Sequence, residues 1–174
     1  RDAIIYTRRT IAEGGIVAIK GIGGFHLCCD ATNEEAVKRL RELKKRPAKP
    51  FAVMAKDLES VKRECLISEE QEKILTGHQK PILLLDKKED GEETLCESIA
   101  PGNPKVGVML PYAPVQLLLF TYDDGIRMPS FFGYDQWKYI RCTDLQGGQR
   151  SDSGTFPSVR LYAFPQPENP DPCR

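Results

Sequence analysis

The sequence predicts an α/β domain: a twisted mixed sheet with flanking helices, incomplete at its C-terminal end. Three observations predict it. Short apolar runs recur at Ile16–Ile19, Phe51–Met54, Pro81–Leu85 and Val106–Leu110, each of strand length and suited to burial on both faces. Stretches with helical spacing and start signals lie between them. At 174 residues the chain is long enough for one domain with a sizeable core.

The elements follow in order. Ala3–Ala12 reads as a helix with Ile4, Ile11 and Ala12 on one side, ended by Gly14–Gly15. Ile16–Ile19 is the first strand, and Gly21-Ile22-Gly23-Gly24 bends the chain after it. Thr32-Asn33-Glu34-Glu35 fits a capping box opening a helix whose apolar side is Ala36, Leu40 and Leu43. Pro47 and Pro50 end that helix near Arg46, because a proline ring cannot continue it. Phe51–Met54 is the second strand. Ser68-Glu69-Glu70-Gln71 is another capping box, for a helix to Thr76 with Gly77 as its stop. Pro81–Leu85 is the third strand, residues 86–97 an acidic loop, Val106–Leu110 the fourth strand, and Pro114–Phe120 a helix with proline at its tolerated start.

After Pro129 the apolar period fades, and Phe164–Pro172 has the composition of a disordered tail. Residues 1–129 therefore form the expected domain. Residues 130–174 are expected to be poorly packed or disordered.

Charge is zero overall but unevenly placed. Residues 1–63 carry 14 Lys/Arg against 8 Asp/Glu, and residues 64–100 carry 4 against 10. A basic first third suits an anionic ligand; two solvated helix faces would give the same count. The six cysteines form no C-x-x-C pair and no ligand spacing with His26 or His78, so neither zinc nor any other metal site is expected. Reduced thiols and the lack of a membrane-length apolar run or a signal-peptide pattern predict a cytoplasmic protein.

Two segments could carry chemistry. Lys20-Gly21-Ile22-Gly23-Gly24-Phe25-His26 follows a strand directly, and its glycines would let backbone N–H groups approach anionic oxygens. The spacing is neither the Walker loop nor the dinucleotide fingerprint, and such a bend also serves as a plain turn. Lys44-Lys45-Arg46-Pro47-Ala48-Lys49-Pro50 places four cations at a helix end. Positive charge there offsets the helix dipole, and the two prolines would also hold the cations in fixed directions.

Ala18 to Ala31, Lys44 to Met54 and Gly107 to Pro114, three blocks in order, resemble the YrdC-like domain of HypF-type carbamoyltransferases, which mature [NiFe] hydrogenases. The resemblance runs from about Ala3 to Pro129. Lys44 and Arg46 are similar to the Lys-x-Arg motif of the related threonylcarbamoyl-adenylate synthases. Lys20-Gly21-Ile22 departs from the Pro-Thr-Glu type usual in those synthases, so the HypF branch is the better match. The resemblance implies ATP-dependent activation of carbamate to carbamoyl-adenylate, with Mg²⁺ on the phosphates. In the full enzyme the carbamoyl group, derived from carbamoyl phosphate, passes to a C-terminal cysteine of a maturation partner. It assigns Lys44, Arg46 and Lys49 to catalysis. Lys20, Gly21, Gly23, Gly24 and His26 would line the nucleotide and substrate pocket, with Pro111 and Tyr112 shaping its wall. It also implies that the chain is a fragment, without the zinc-finger and transferase domains of the full enzyme.

The family continues past Pro129 with a Thr-Ser-Gly-Asn-type motif, where this chain has Gly133-Tyr134-Asp135-Gln136-Trp137-Lys138. Read one nucleotide later, codons permitted by these residues spell Val-Met-Thr-Ser-Gly-Asn, and those through Leu145 continue as Ile-Ser-Gly-Ala-Pro-Ile-Cys. A single extra nucleotide near residues 127–132 would account for the change. On that reading the sheet lacks its central strand and the chain is inactive as it stands. Two other functions fit the same residues: tRNA threonylcarbamoylation, and a non-catalytic module binding double-stranded RNA or tRNA. Against the RNA module, no aromatic residue interleaves the Lys44–Lys49 cations.

Overall fold

The computed structural model describes residues 2–21, 24–89, 95–137, 149–150 and 161–164. Helix α1 (Asp2–Ala12) stops where Gly14 takes φ +78°, letting its N–H and that of Gly15 bond the carbonyls of Ile11 and Thr10. Strands β1 (Ile16–Gly21) and β2 (Gly24–Asp30) form a hairpin in which Gly21 pairs with Gly24. Strand β2, which the sequence does not announce as a strand, thus begins at Gly24.

Helix α2 (Glu34–Lys44) leads to β3 (Ala52–Ala55), then to α3 (Leu58–Glu64), β4 (Cys65–Leu66) and α4 (Glu69–Thr76). Strand β5 (Leu83–Lys87), a 3-10 turn (Glu97–Ile99), β6 (Lys105–Met109), α5 (Pro114–Thr121) and β7 (Phe131–Trp137) follow. The short β8 (Gln149–Arg150) and β9 (Leu161–Phe164) come last.

The strands lie in the order β4-β5-β6-β3-β7-β2-β1-β9-β8. Strands β3 and β6 run parallel and the other pairs antiparallel, so the sheet is mixed as predicted. Alternate side chains enter two cores. Leu27, Cys29, Val53 and Phe131 pack with Val37 and Leu40 of α2, Val61 of α3 and Leu75 of α4. Cys28, Met54, Phe132 and Tyr134 face the other way, onto Ile11 of α1 and Leu119 and Phe120 of α5.

Several expectations are corrected. Asn33 caps α2, accepting from the Ala36 N–H at 3.0 Å, while the Thr32 hydroxyl turns back to Asp30. The predicted Thr32 box is thus one residue early. Leu43, placed on the apolar side, is 41% exposed, and Arg41 takes the buried position instead. Helix α1 buries Thr7, Arg8 and Thr10 beside Ile11, while Ala12 is exposed. The Ser68 capping box forms as predicted, with Gln71 reciprocating.

The largest correction concerns the sheet centre. Phe131–Trp137 fills the slot between β3 and β2, with Phe131 and Phe132 fully buried on opposite faces. The central strand is therefore present in this chain. Further on, β9 pairs with β1. The predicted disordered segment beyond Phe164 lies outside the described residues.

Candidate functional site

Residues 45–50 run from the end of α2, on one face, to the start of β3, within the sheet. Strand β3 begins opposite Tyr134 of β7, while β7 and β2 run on toward the β1–β2 hairpin. The Lys44–Lys49 cations and the glycine hairpin therefore stand at the same end of the sheet.

One side chain organises this segment. Arg41 is 7% exposed. Its Nη1 donates to the carbonyls of Arg46 at 2.9 Å and Lys49 at 3.1 Å. Its Nη2 donates to the Ile99 carbonyl at 3.1 Å, and its Nε to that of Ser98. The guanidinium carbon lies 4.5 Å from the centre of the Phe51 ring, and that of Arg46 lies 5.3 Å from the same centre. Arg46 also donates to the Pro50 carbonyl at 3.1 Å. Lys45, with φ +48°, turns the chain out of α2.

The anchor is itself held. Ser98 donates its hydroxyl to Glu34 Oε1 at 2.6 Å and its N–H to Oε2 at 3.2 Å. The Ser98 hydrogen bond holds the Glu34 carboxyl below its ordinary pKa. Both ends of α2 thus grip one turn. The backbone of the cation segment is tied down, while Lys45 and Lys49 are exposed and Lys44 and Arg46 half-buried.

His26 belongs to a second constellation, on the α1/α5 face. It is 5% exposed and its ring stacks on Tyr134. The Tyr134 hydroxyl accepts from Gln116 Nε2 at 3.0 Å, and Gln116 Oε1 accepts the N–H groups of Tyr112 and Ala113. Burial raises the Tyr134 phenol well above its ordinary pKa, with Cys28 and Tyr112 adding to the shift. Pro111 is buried at the exit of β6 and Tyr112 is 40% exposed.

The predicted residues therefore fall into two groups. Lys44, Arg46 and Lys49 share one pinned segment at the sheet end. His26 packs on the opposite face from Phe51 and Arg41, in the core that Tyr134 joins. Lys20 and Gly21 lie in β1 and Gly24 opens β2; Gly23 lies outside the described residues. Among the described residues, no three His, Cys, Asp or Glu side chains gather as a metal site, and no helix is long and apolar enough to cross a membrane.

The sequence reading missed Arg41, Glu34, Ser98 and Gln116. A signal for Arg41 existed: it lies four residues after Val37 and one after Leu40, on the stripe α2 buries. A guanidinium in that position needs several acceptors.

A family model described as Telomere recombination, that of Sua5, YciO and YrdC, matches residues 9–146. The chain belongs to the Sua5/YciO/YrdC family. Within it, the chain is similar to carbamoyltransferase HypF of Synechocystis, 47% identical over 118 residues, covering 68% of this chain and 15% of that protein. It thus spans about 15% of the length of the curated relatives it matches. A full-length HypF in its phosphate- and nucleotide-bound form superposes with a TM-score of 0.68 at 46% identity, covering 76% of this chain and 20% of that one. The Sua5 of P. abyssi complexed with L-threonine gives 0.63 at 25% identity, with 76% and 37% covered. Membership in this family agrees with the mixed sheet and with the resemblance drawn from the three sequence blocks. The family match also continues past residue 129, across β7.

Proposed function

We propose that this domain activates carbamate: a carbamate oxygen attacks the α-phosphorus of ATP, carbamoyl-adenylate forms, and pyrophosphate leaves. The observation that carries this reading is the 47% identity to carbamoyltransferase HypF, the name those relatives bear. A HypF of similar fold in a phosphate- and nucleotide-bound form supports nucleotide chemistry on this scaffold.

The residues have suitable roles. Lys44, Arg46 and Lys49 supply charge for the phosphates as negative charge shifts onto the departing pyrophosphate. Arginine offers a planar fork to phosphate oxygens and lysine a compact charge. Backbone N–H groups at the Gly21–Gly24 hairpin would receive the carbamoyl and α-phosphate end. Lys20 stands beside them. His26, stacked within a core, would bear on the pocket by fixing β2 and β7 rather than by touching substrate. Mg²⁺ would arrive on the phosphates of ATP and screen their charge. In a full-length enzyme, a further domain would pass the carbamoyl group to the C-terminal cysteine of a hydrogenase-maturation partner.

The test is exchange of labelled pyrophosphate into ATP. Carbamate-dependent exchange supports the proposal. Threonine-dependent exchange would move the chain to the threonylcarbamoyl-adenylate branch. No exchange, with RNA binding that weakens steeply as salt rises, would make it a nucleic-acid module.

A further inference from the structure

We infer that Arg41 is the positioning residue of the cation segment, fixing the backbone of residues 46–49 so that Lys44, Arg46 and Lys49 present one anion-binding face. The inference rests on the nucleotide reading above and adds to it a residue that touches no substrate.

The geometry carries it. Arg41 reaches four carbonyls in two separate stretches, those of Arg46 and Lys49 in the segment and those of Ser98 and Ile99 in the 3-10 turn. A guanidinium can do this because its five donors diverge in one plane; an ammonium on a flexible stem has three, radiating from a single atom. The Phe51 ring, 1% exposed, lies against both Arg41 and Arg46, so one core residue carries the two guanidiniums. Glu34 holds Ser98, so the acceptor turn does not give way when Arg41 pulls on it.

The carbonyls of Arg46 and Lys49 belong to a half-buried and an exposed residue. Water would satisfy them at little cost if Arg41 were elsewhere. Drawing a buried guanidinium to them takes freedom out of the segment before any ligand arrives. Ordering that would otherwise oppose binding is then already in place. Prolines 47 and 50 act in the same direction by fixing φ.

Equilibrium binding of ATP and of AMP separates positioning from mere support of the fold. Cations set for a triphosphate favour ATP over AMP, whereas a general loosening of the domain changes both alike. Arg41→Lys keeps the charge and loses the fork. In protein that circular dichroism shows to be folded, it is expected to weaken ATP binding about tenfold while AMP binding stays at the wild-type value. A folded R41K protein with an unchanged ATP-to-AMP ratio overturns the inference. If R41K does not fold, Phe51→Leu, which removes the shared ring, is read by the same ratio with the same two outcomes. Lys44→Ala combined with Arg46→Ala tests the underlying reading separately. If that variant binds ATP as the wild type does, the nucleotide assignment of the segment fails, and the inference with it.

Discussion

His26 lies flat against Tyr134, with ring centroids 4.5 Å apart and 19° between the planes. The contact joins β2 to the central strand β7, and the Tyr134 hydroxyl carries the link on to Gln116 at the start of α5. Tyr134→Phe keeps the stack and strands the buried Gln116 amide. It should destabilise the protein by about 1–3 kcal/mol. Tyr134→Ala, which also empties the space between β2 and α5, should cost about 3–5 kcal/mol. Urea unfolding checks both, and wild-type stability in Tyr134→Ala would contradict the placement of β7.

Arg8 and Asp124 clamp α1 to the loop after α5. The guanidinium donates to both carboxylate oxygens at 2.9 Å and to the carbonyls of Leu119 and Ile126. The hydrogen bond from Arg8 holds the Asp124 carboxyl below its ordinary pKa. Such a group stabilises the fold above its unfolded pKa, and that share is lost as pH falls through the lower folded value. Stability should therefore drop as acid is added below about pH 4, and Asp124→Asn should flatten that drop. Melting temperatures of the two proteins, followed from about pH 6 down through and below about pH 4, provide the check.

The described thiols should be inert in the native state. Burial pushes Cys65 and Cys96 up to about 12 and raises Cys28 and Cys29 as well. At neutral pH almost none is thiolate, the reactive form. Labelling with a thiol reagent, followed by peptide mapping, should mark these four only after unfolding. Rapid native labelling of Cys28 or Cys29 would contradict the sheet register.

The coding DNA across residues 120–145 tests the origin of the tail. If one nucleotide was gained there, the shifted frame spells Val-Met-Thr-Ser-Gly-Asn from Gly133. The structure bears on what that change would meet. A Cβ at Gly133 would lie 3.2 Å from Ile99 Cδ1 and 3.3 Å from Cys29 Sγ, both tips of side chains. The Cβ alone requires those tips to move a few tenths of an ångström. Codons that cannot spell the motif would make the tail genuine.

Local signals made much of this fold legible. The runs at 16–19, 51–54 and 106–110 read as strands because burial on both faces leaves them uniformly apolar, and Ser68 with Gln71 announced α4. Strand β2 was obscured because His26, Cys28 and Cys29 do not resemble a β-branched run, although cross-strand pairing with β1 and β7 buries them all. Residues 131–137 lack the Thr-Ser-Gly-Asn-type motif expected after Pro129, which hides their strand character although the family match spans them. The slot between β2 and β3 that β7 fills depends on pairings with residues far away in the chain, such as Phe25 with Trp137 and Ala52 with Tyr134, which no local window contains. The cation segment was visible as charge and proline. The arginine that shapes it was not, since its acceptors are backbone carbonyls in a distant turn.

Pyrophosphate–ATP exchange in Lys44→Ala, Arg46→Ala and Lys49→Ala, each beside the wild type with carbamate present, tests the central claim most directly. The cation segment is held responsible for stabilising the departing pyrophosphate, so each loss should slow exchange by about a hundredfold or more, with the fold intact. Exchange at the wild-type rate in all three would show that the triphosphate is held elsewhere.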